Sequence, residues 1–118
     1  MLNLELKQKV YLAKGVTDLR KSITGLSIIV EQEFELNPHN RNLYVFCNRR
    51  RNRIKILKYD HNDFTLFIKA LDEGKFIWPK EDEEDLLEVT AKELGWLLHG
   101  LSLVDRLSEE GKRKLYSI

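Results

Sequence analysis

Cysteine is nearly missing from this 118-residue chain, which carries only Cys47. An internal disulfide is thereby excluded, no thiolate cluster can hold zinc, and a reducing compartment, the cytoplasm, is expected. Proline is scarce too: Pro38 and Pro79 are the only two, and no low-complexity linker or repeat divides the sequence. No apolar run approaches the roughly 20 residues of a membrane span. The opening MLNLELKQKV mixes charge with single leucines, unlike a signal peptide. Six scattered glycines form no phosphate-binding loop. Against these absences stand 42% apolar residues, enough at this length for one conventional core.

A net charge of one sign is also lacking, because 20 Lys and Arg nearly cancel 19 Asp and Glu. The balance is local rather than uniform. Residues 1–58 hold twelve cations against five anions, residues 59–110 five against fourteen, and Lys112, Arg113 and Lys114 add a short basic tail. Either the basic and acidic halves pair with each other, or a basic surface meets a polyanion while an acidic surface meets something else.

Hydrophobic spacing gives the elements. Val10 to Ala13 reads as a short strand ending near Gly15. Thr17 or Asp18 can cap a helix whose apolar stripe is Leu19, Ile23, Leu26, Val30 and Phe34, stopped at Asn37-Pro38. Leu43 to Cys47, Arg53 to Tyr59, Phe64 to Ile68 and Phe76 to Trp78 read as strands. They are joined by short connections and so should be antiparallel neighbours. Glu81 to Glu88 reads as an acidic loop. Thr90-Ala91-Lys92-Glu93 is a capping box for a helix that stops at Gly100. The expectation is one α+β domain: an antiparallel sheet of four to five strands in β-α-β-β-β-β-α order, helices on one face. Its core spans about 10–100, and 101–118 is an extension with the basic tail.

The sharpest feature is Asn48-Arg49-Arg50-Arg51-Asn52-Arg53, between two strands. Clustered guanidinium groups repel one another, and strand pairing does not require them. Each is well suited to phosphate, through two parallel hydrogen bonds. On a hairpin tip such arginines can reach a DNA groove, or simply keep a sheet edge soluble. Arg20 and Lys21 fall in the expected first helical turn, where cations are disfavoured unless an anion or the acidic loop meets them. Enzyme signatures are missing. His39, His61 and His99 have no metal-ligand spacing, Cys47 reads as a small buried hydrophobe, and no cofactor or metal is expected. Asp60, Asp63 and Glu73 could form a two-metal nuclease site, but read equally as hairpin turns.

The segment VYLAKGVTDLRKSITGL resembles the opening of the small accessory protein, often called TnpB, encoded by the second reading frame of bacterial insertion sequences of the sixty-six type. Val10, Tyr11, Leu12, Ala13, Gly15, Thr17, Asp18, Arg20, Lys21, Gly25 and Leu26 fit its pattern, with Leu19 replacing methionine. In a second block Leu43, Val45, Phe46, Asn48, Arg49, Arg50, Lys55, Leu57 and Asp60 match. Phe64, Lys69, Leu71, Gly74, Phe76, Trp78 and Pro79 continue the likeness. Arg51 stands where glycine is frequent, and Tyr59 and Phe67 replace tryptophans.

The resemblance implies a non-catalytic helper in transposition, acting beside a larger transposase that does the cutting. The residues expected to grip transposon DNA are Arg20, Lys21, Asn48, Arg49, Arg50, Arg51, Arg53 and Lys55. The acidic segment would face the transposase or screen the hairpin. The other reading is an adaptor that docks on the transposase without touching DNA. Neither a membrane nor a small-molecule substrate is expected.

Overall fold

The computed structural model describes residues 8–60 and 62–99. The expected stop at Gly100, the extension 101–118 and His61 lie outside the described residues.

Strand β1 (Val10–Ala13) leads into a crossover made of helix α1 (Ile23–Ile28) and a π-helical turn (Ile29–Glu33). The apolar stripe is the buried side of this crossover. Leu26 and Val30 are fully buried, and Leu19, Ile23 and Phe34 pack against the same cluster. The wide last turn closes with the Phe34 N–H donating to the Ile29 carbonyl, and Glu35, at φ 54°, turns the chain away before Asn37. Strands β2 (Leu43–Cys47), β3 (Arg53–Asp60) and β4 (Asp63–Ala70) follow as antiparallel hairpins, as the short connections predict. Helix α2 (Ala91–Leu98) opens with the expected capping box: Thr90 Oγ1 accepts the Glu93 N–H at 3.1 Å, and Glu93 Oε1 accepts the Thr90 N–H at 2.9 Å.

The architecture is α+β: one five-stranded sheet with two helices. Its details correct the sequence reading in four places. The sheet is mixed, because β1 runs parallel to β2, with Val10 opposite Leu43. The long crossover between them permits this, whereas the antiparallel expectation rested on short connections found only later in the chain. Phe76 to Trp78 is not a strand. It is an irregular segment that buries Phe76 and Trp78, and the Trp78 indole N–H donates to the Ala13 carbonyl at 2.8 Å.

The acidic stretch is not wholly a loop either. Leu86–Val89 forms β5, antiparallel to the free side of β1, and the sheet order is β4-β3-β2-β1-β5. Finally, the helices occupy opposite faces. Alternation along β2 sends Tyr44 and Phe46 toward α1, and Leu43, Val45 and Cys47 toward α2, Phe76 and Trp78. A central strand buried on both faces needs a cover on each side.

Candidate nucleic-acid interface

The arginine-rich turn is built by its asparagines. Asn48 Oδ1 accepts the backbone N–H groups of Asn52 and Arg53, both at 3.1 Å, and its Nδ2 donates to Asn52 Oδ1 at 2.8 Å. The Asn48 amide is therefore spent on shaping the loop. Arg51 occupies the left-handed region at φ 59°, a conformation that favours glycine over a residue with a Cβ. The turn is also buttressed from the next segment: the Leu71 N–H donates to the Asn52 carbonyl at 2.7 Å and the Phe76 N–H to the Arg51 carbonyl at 2.6 Å. Side chains of Arg49, Arg50, Arg51 and Arg53 are left exposed on a fixed backbone.

Residues 15–20 form a second wall. The Thr17 N–H donates to the Cys47 carbonyl at 2.9 Å, and the Gly15 N–H to the Pro79 carbonyl at 3.0 Å. Gly15 is required here: its φ is +76°, and a Cβ would come within 3.1 Å of Glu81 Cβ. Between the two walls lies an open cleft of about 1430 Å³. Seven of the eight residues expected to bind nucleic acid line it: Arg20, Asn48, Arg49, Arg50, Arg51, Arg53 and Lys55. Lys21 does not. It faces a smaller neighbouring depression of about 230 Å³ shared with Glu33 and Asp85, while its carbonyl accepts the Lys55 ammonium at 3.2 Å.

Arg20 and Lys21 also precede the helix instead of starting it. Asp18 closes a turn by accepting the Arg20 N–H on Oδ1 and the Lys21 N–H on its carbonyl, so α1 begins only at Ile23, with Ser22 as its cap. The argument from the helix dipole therefore does not apply to them. Asp18 further grips the Arg20 guanidinium, with Nε–Oδ1 at 2.9 Å and Nη2–Oδ2 at 2.8 Å. These bonds hold the Asp18 carboxyl far below the usual carboxylate range.

Among the described residues, the acidic side chains find other partners than the hairpin. Asp82 pairs with Lys14 at 3.0 Å and Glu88 with Lys9 at 3.8 Å. Among the described residues, no carboxylate forms an ion pair with Arg49, Arg50, Arg51 or Arg53. The carboxylates imagined as a nuclease centre are kept apart. Asp60 and Asp63 face each other at the far end of the β3–β4 hairpin, while Glu73 follows its near end, about 20 Å away along the strands. Among the described residues, no group of three or more His, Cys, Asp or Glu is placed to hold a metal ion. Cys47 is buried, and burial pushes its thiol up to about 11.

Sequence reasoning missed three contributors to the cleft. Val16 and Ile68 are apolar yet 53% and 62% exposed there, and Lys80 adds a cation after Pro79. No pattern marks Ile68, whose alternation in β4 reads as ordinary strand. Asp18 was legible only as a cap.

A model of the IS66 Orf2-like proteins matches residues 8–107, which include both walls of the cleft. The chain belongs to this family. It is 34% identical over 93 residues to the uncharacterized protein y4hO of Sinorhizobium fredii, covering 79% of this chain and 80% of that one. It is 27% identical over 93 residues to y4jC of the same organism, covering 79% of each. No solved structure matches. As an IS66 Orf2-like protein the chain is an insertion-sequence accessory protein, and the family is not a known enzyme class. Among the described residues, no helix is long and apolar enough to cross a membrane.

Proposed function

We propose that this accessory protein binds the DNA of its insertion sequence, without cutting it, through the cleft between the arginine turn and residues 15–20. The observation that carries the reading is the set of four exposed guanidinium groups, Arg49, Arg50, Arg51 and Arg53, with no ion-pair partner among the described residues. Like charges held this close on a fixed turn destabilise the free protein slightly, and a row of phosphates relieves that repulsion. Contacts of this kind set position and register on the duplex more than sequence. Arg20, on the facing wall, lets one ligand touch both sides.

Fluorescence anisotropy with duplex DNA from the element's ends tests the reading. The wild-type protein should bind alone, and the joint change of Arg49, Arg50 and Arg51 to alanine should weaken binding strongly while the circular dichroism spectrum is kept. Binding that appears only when the transposase is added would instead make the protein an adaptor.

A further inference from the structure

The contact between Asp18 and Arg20 uses a particular edge of the guanidinium. Both carboxylate oxygens lie against Nε and Nη2, the pair of donors that a phosphate would engage with two parallel bonds. Asp18 cannot drift away easily, since its Oδ1 also accepts the Arg20 backbone N–H at 3.0 Å. The pair nevertheless stands open to water, with the Arg20 side chain 91% exposed and that of Asp18 45%. Exposed pairs are weakly held and exchange readily for a stronger anion. Among the described residues, Arg20 is the one arginine of the cleft paired in this way.

We propose that Asp18 is an internal competitor for phosphate: in the free protein it occupies the Nε–Nη2 edge of Arg20, and a nucleic-acid phosphate reaching that wall displaces it. This rests on the DNA-binding reading above and specifies how that site is regulated. A ligand that touches only the hairpin leaves the latch closed. One that spans the cleft opens it and gains a further arginine. The carboxylate thus acts as a threshold against short or glancing encounters with polyanions.

The test is a double-mutant cycle read by anisotropy with one duplex at one low salt concentration. Asp18→Asn removes the charge but keeps a side-chain oxygen for the Arg20 N–H. It should tighten binding about three- to fivefold, the scale of an exposed ion pair. Arg20→Ala should weaken binding, and adding Asp18→Asn to Arg20→Ala should recover less than half of that gain. A gain of equal size without Arg20, no gain, or weaker binding by Asp18→Asn would overturn the latch. In the last case Asp18 would be a positioning residue for Arg20. Should Asp18→Asn misfold by circular dichroism, Asp18→Ser offers the same hydrogen-bond acceptor and the same readout. Failure of the wild-type protein itself to bind would remove the DNA-binding reading and the latch together, whereas wild-type binding with an unresponsive Asp18 removes only the latch.

Discussion

The carbonyl oxygen of Arg51 accepts the backbone N–H of Phe76 at 2.6 Å, and the Phe76 ring is buried against the sheet face that α2 covers. The exposed arginine turn is therefore tied to the core by a residue 25 positions later. Phe76→Ala should destabilise the protein by about 3–5 kcal/mol and loosen the turn. Urea denaturation measures the first effect, and faster amide exchange at Leu71 and Arg51 the second.

Arg51 sits at φ 59°, which disfavours any side chain with a Cβ. Arg51→Gly should stabilise the fold by about 0.5–1 kcal/mol once the greater freedom of glycine in the unfolded chain is deducted. The same change should weaken DNA binding, because it removes an exposed guanidinium. Opposite signs in a urea midpoint and an anisotropy titration would show that this position trades backbone comfort for charge.

Cys47 has its thiol pushed up to about 11 by burial, from an ordinary 9.0. The folded state therefore holds this proton more tightly than the unfolded chain does. The contribution to stability is full below pH 9 and is lost as pH rises from about 9 to about 11. Burial shifts Tyr11 and Tyr44 upward as well, so they add to the alkaline loss. Urea midpoints measured across that range should fall less steeply in Cys47→Ala than in the wild-type protein. At neutral pH a thiol reagent should label Cys47 only as fast as the protein opens.

Thr90→Ala removes one half of the capping box and leaves the Glu93 N–H unsatisfied at the start of α2. The expected loss is about 1 kcal/mol, seen as a lower midpoint. DNA affinity should be unchanged, since α2 packs on the sheet through Leu94 and Leu97 and does not line the cleft.

Local chemistry made much of this molecule legible, and contacts remote in sequence hid the rest. The stripe from Leu19 to Phe34 predicted a helix because helical spacing alone puts those side chains on one face, although α1 begins only at Ile23. The capping box and the hairpins around Asn48-Asn52 and Asp60-Asp63 were equally local. By contrast, nothing in Leu86-Leu87-Glu88-Val89 distinguishes a strand from the end of an acidic loop. It becomes a strand because β1 has an open edge, with Leu12 opposite Leu87. Phe76 to Trp78 has strand-like composition, yet Trp78 spends its indole N–H on Ala13, 65 residues earlier, and the backbone never joins the sheet.

The cleft itself was half visible. The arginine run announced one wall, but Arg20 reached the other through an aspartate two residues before it, not through a helix terminus. Ile68 alternates in step with Phe64 and Leu66, which pack against the cluster of Leu26 and Val30, yet it is exposed, a difference no local pattern encodes.

The most direct measurement is the dependence of DNA affinity on salt for the wild-type protein beside the variant with Arg49, Arg50 and Arg51 changed to alanine. If the turn grips phosphates, the logarithm of the wild-type affinity falls steeply and linearly with the logarithm of salt. The variant's slope should then be shallower by roughly 0.9 for each arginine that met a phosphate. Equal slopes for the two proteins, or wild-type binding indifferent to salt, would contradict the account.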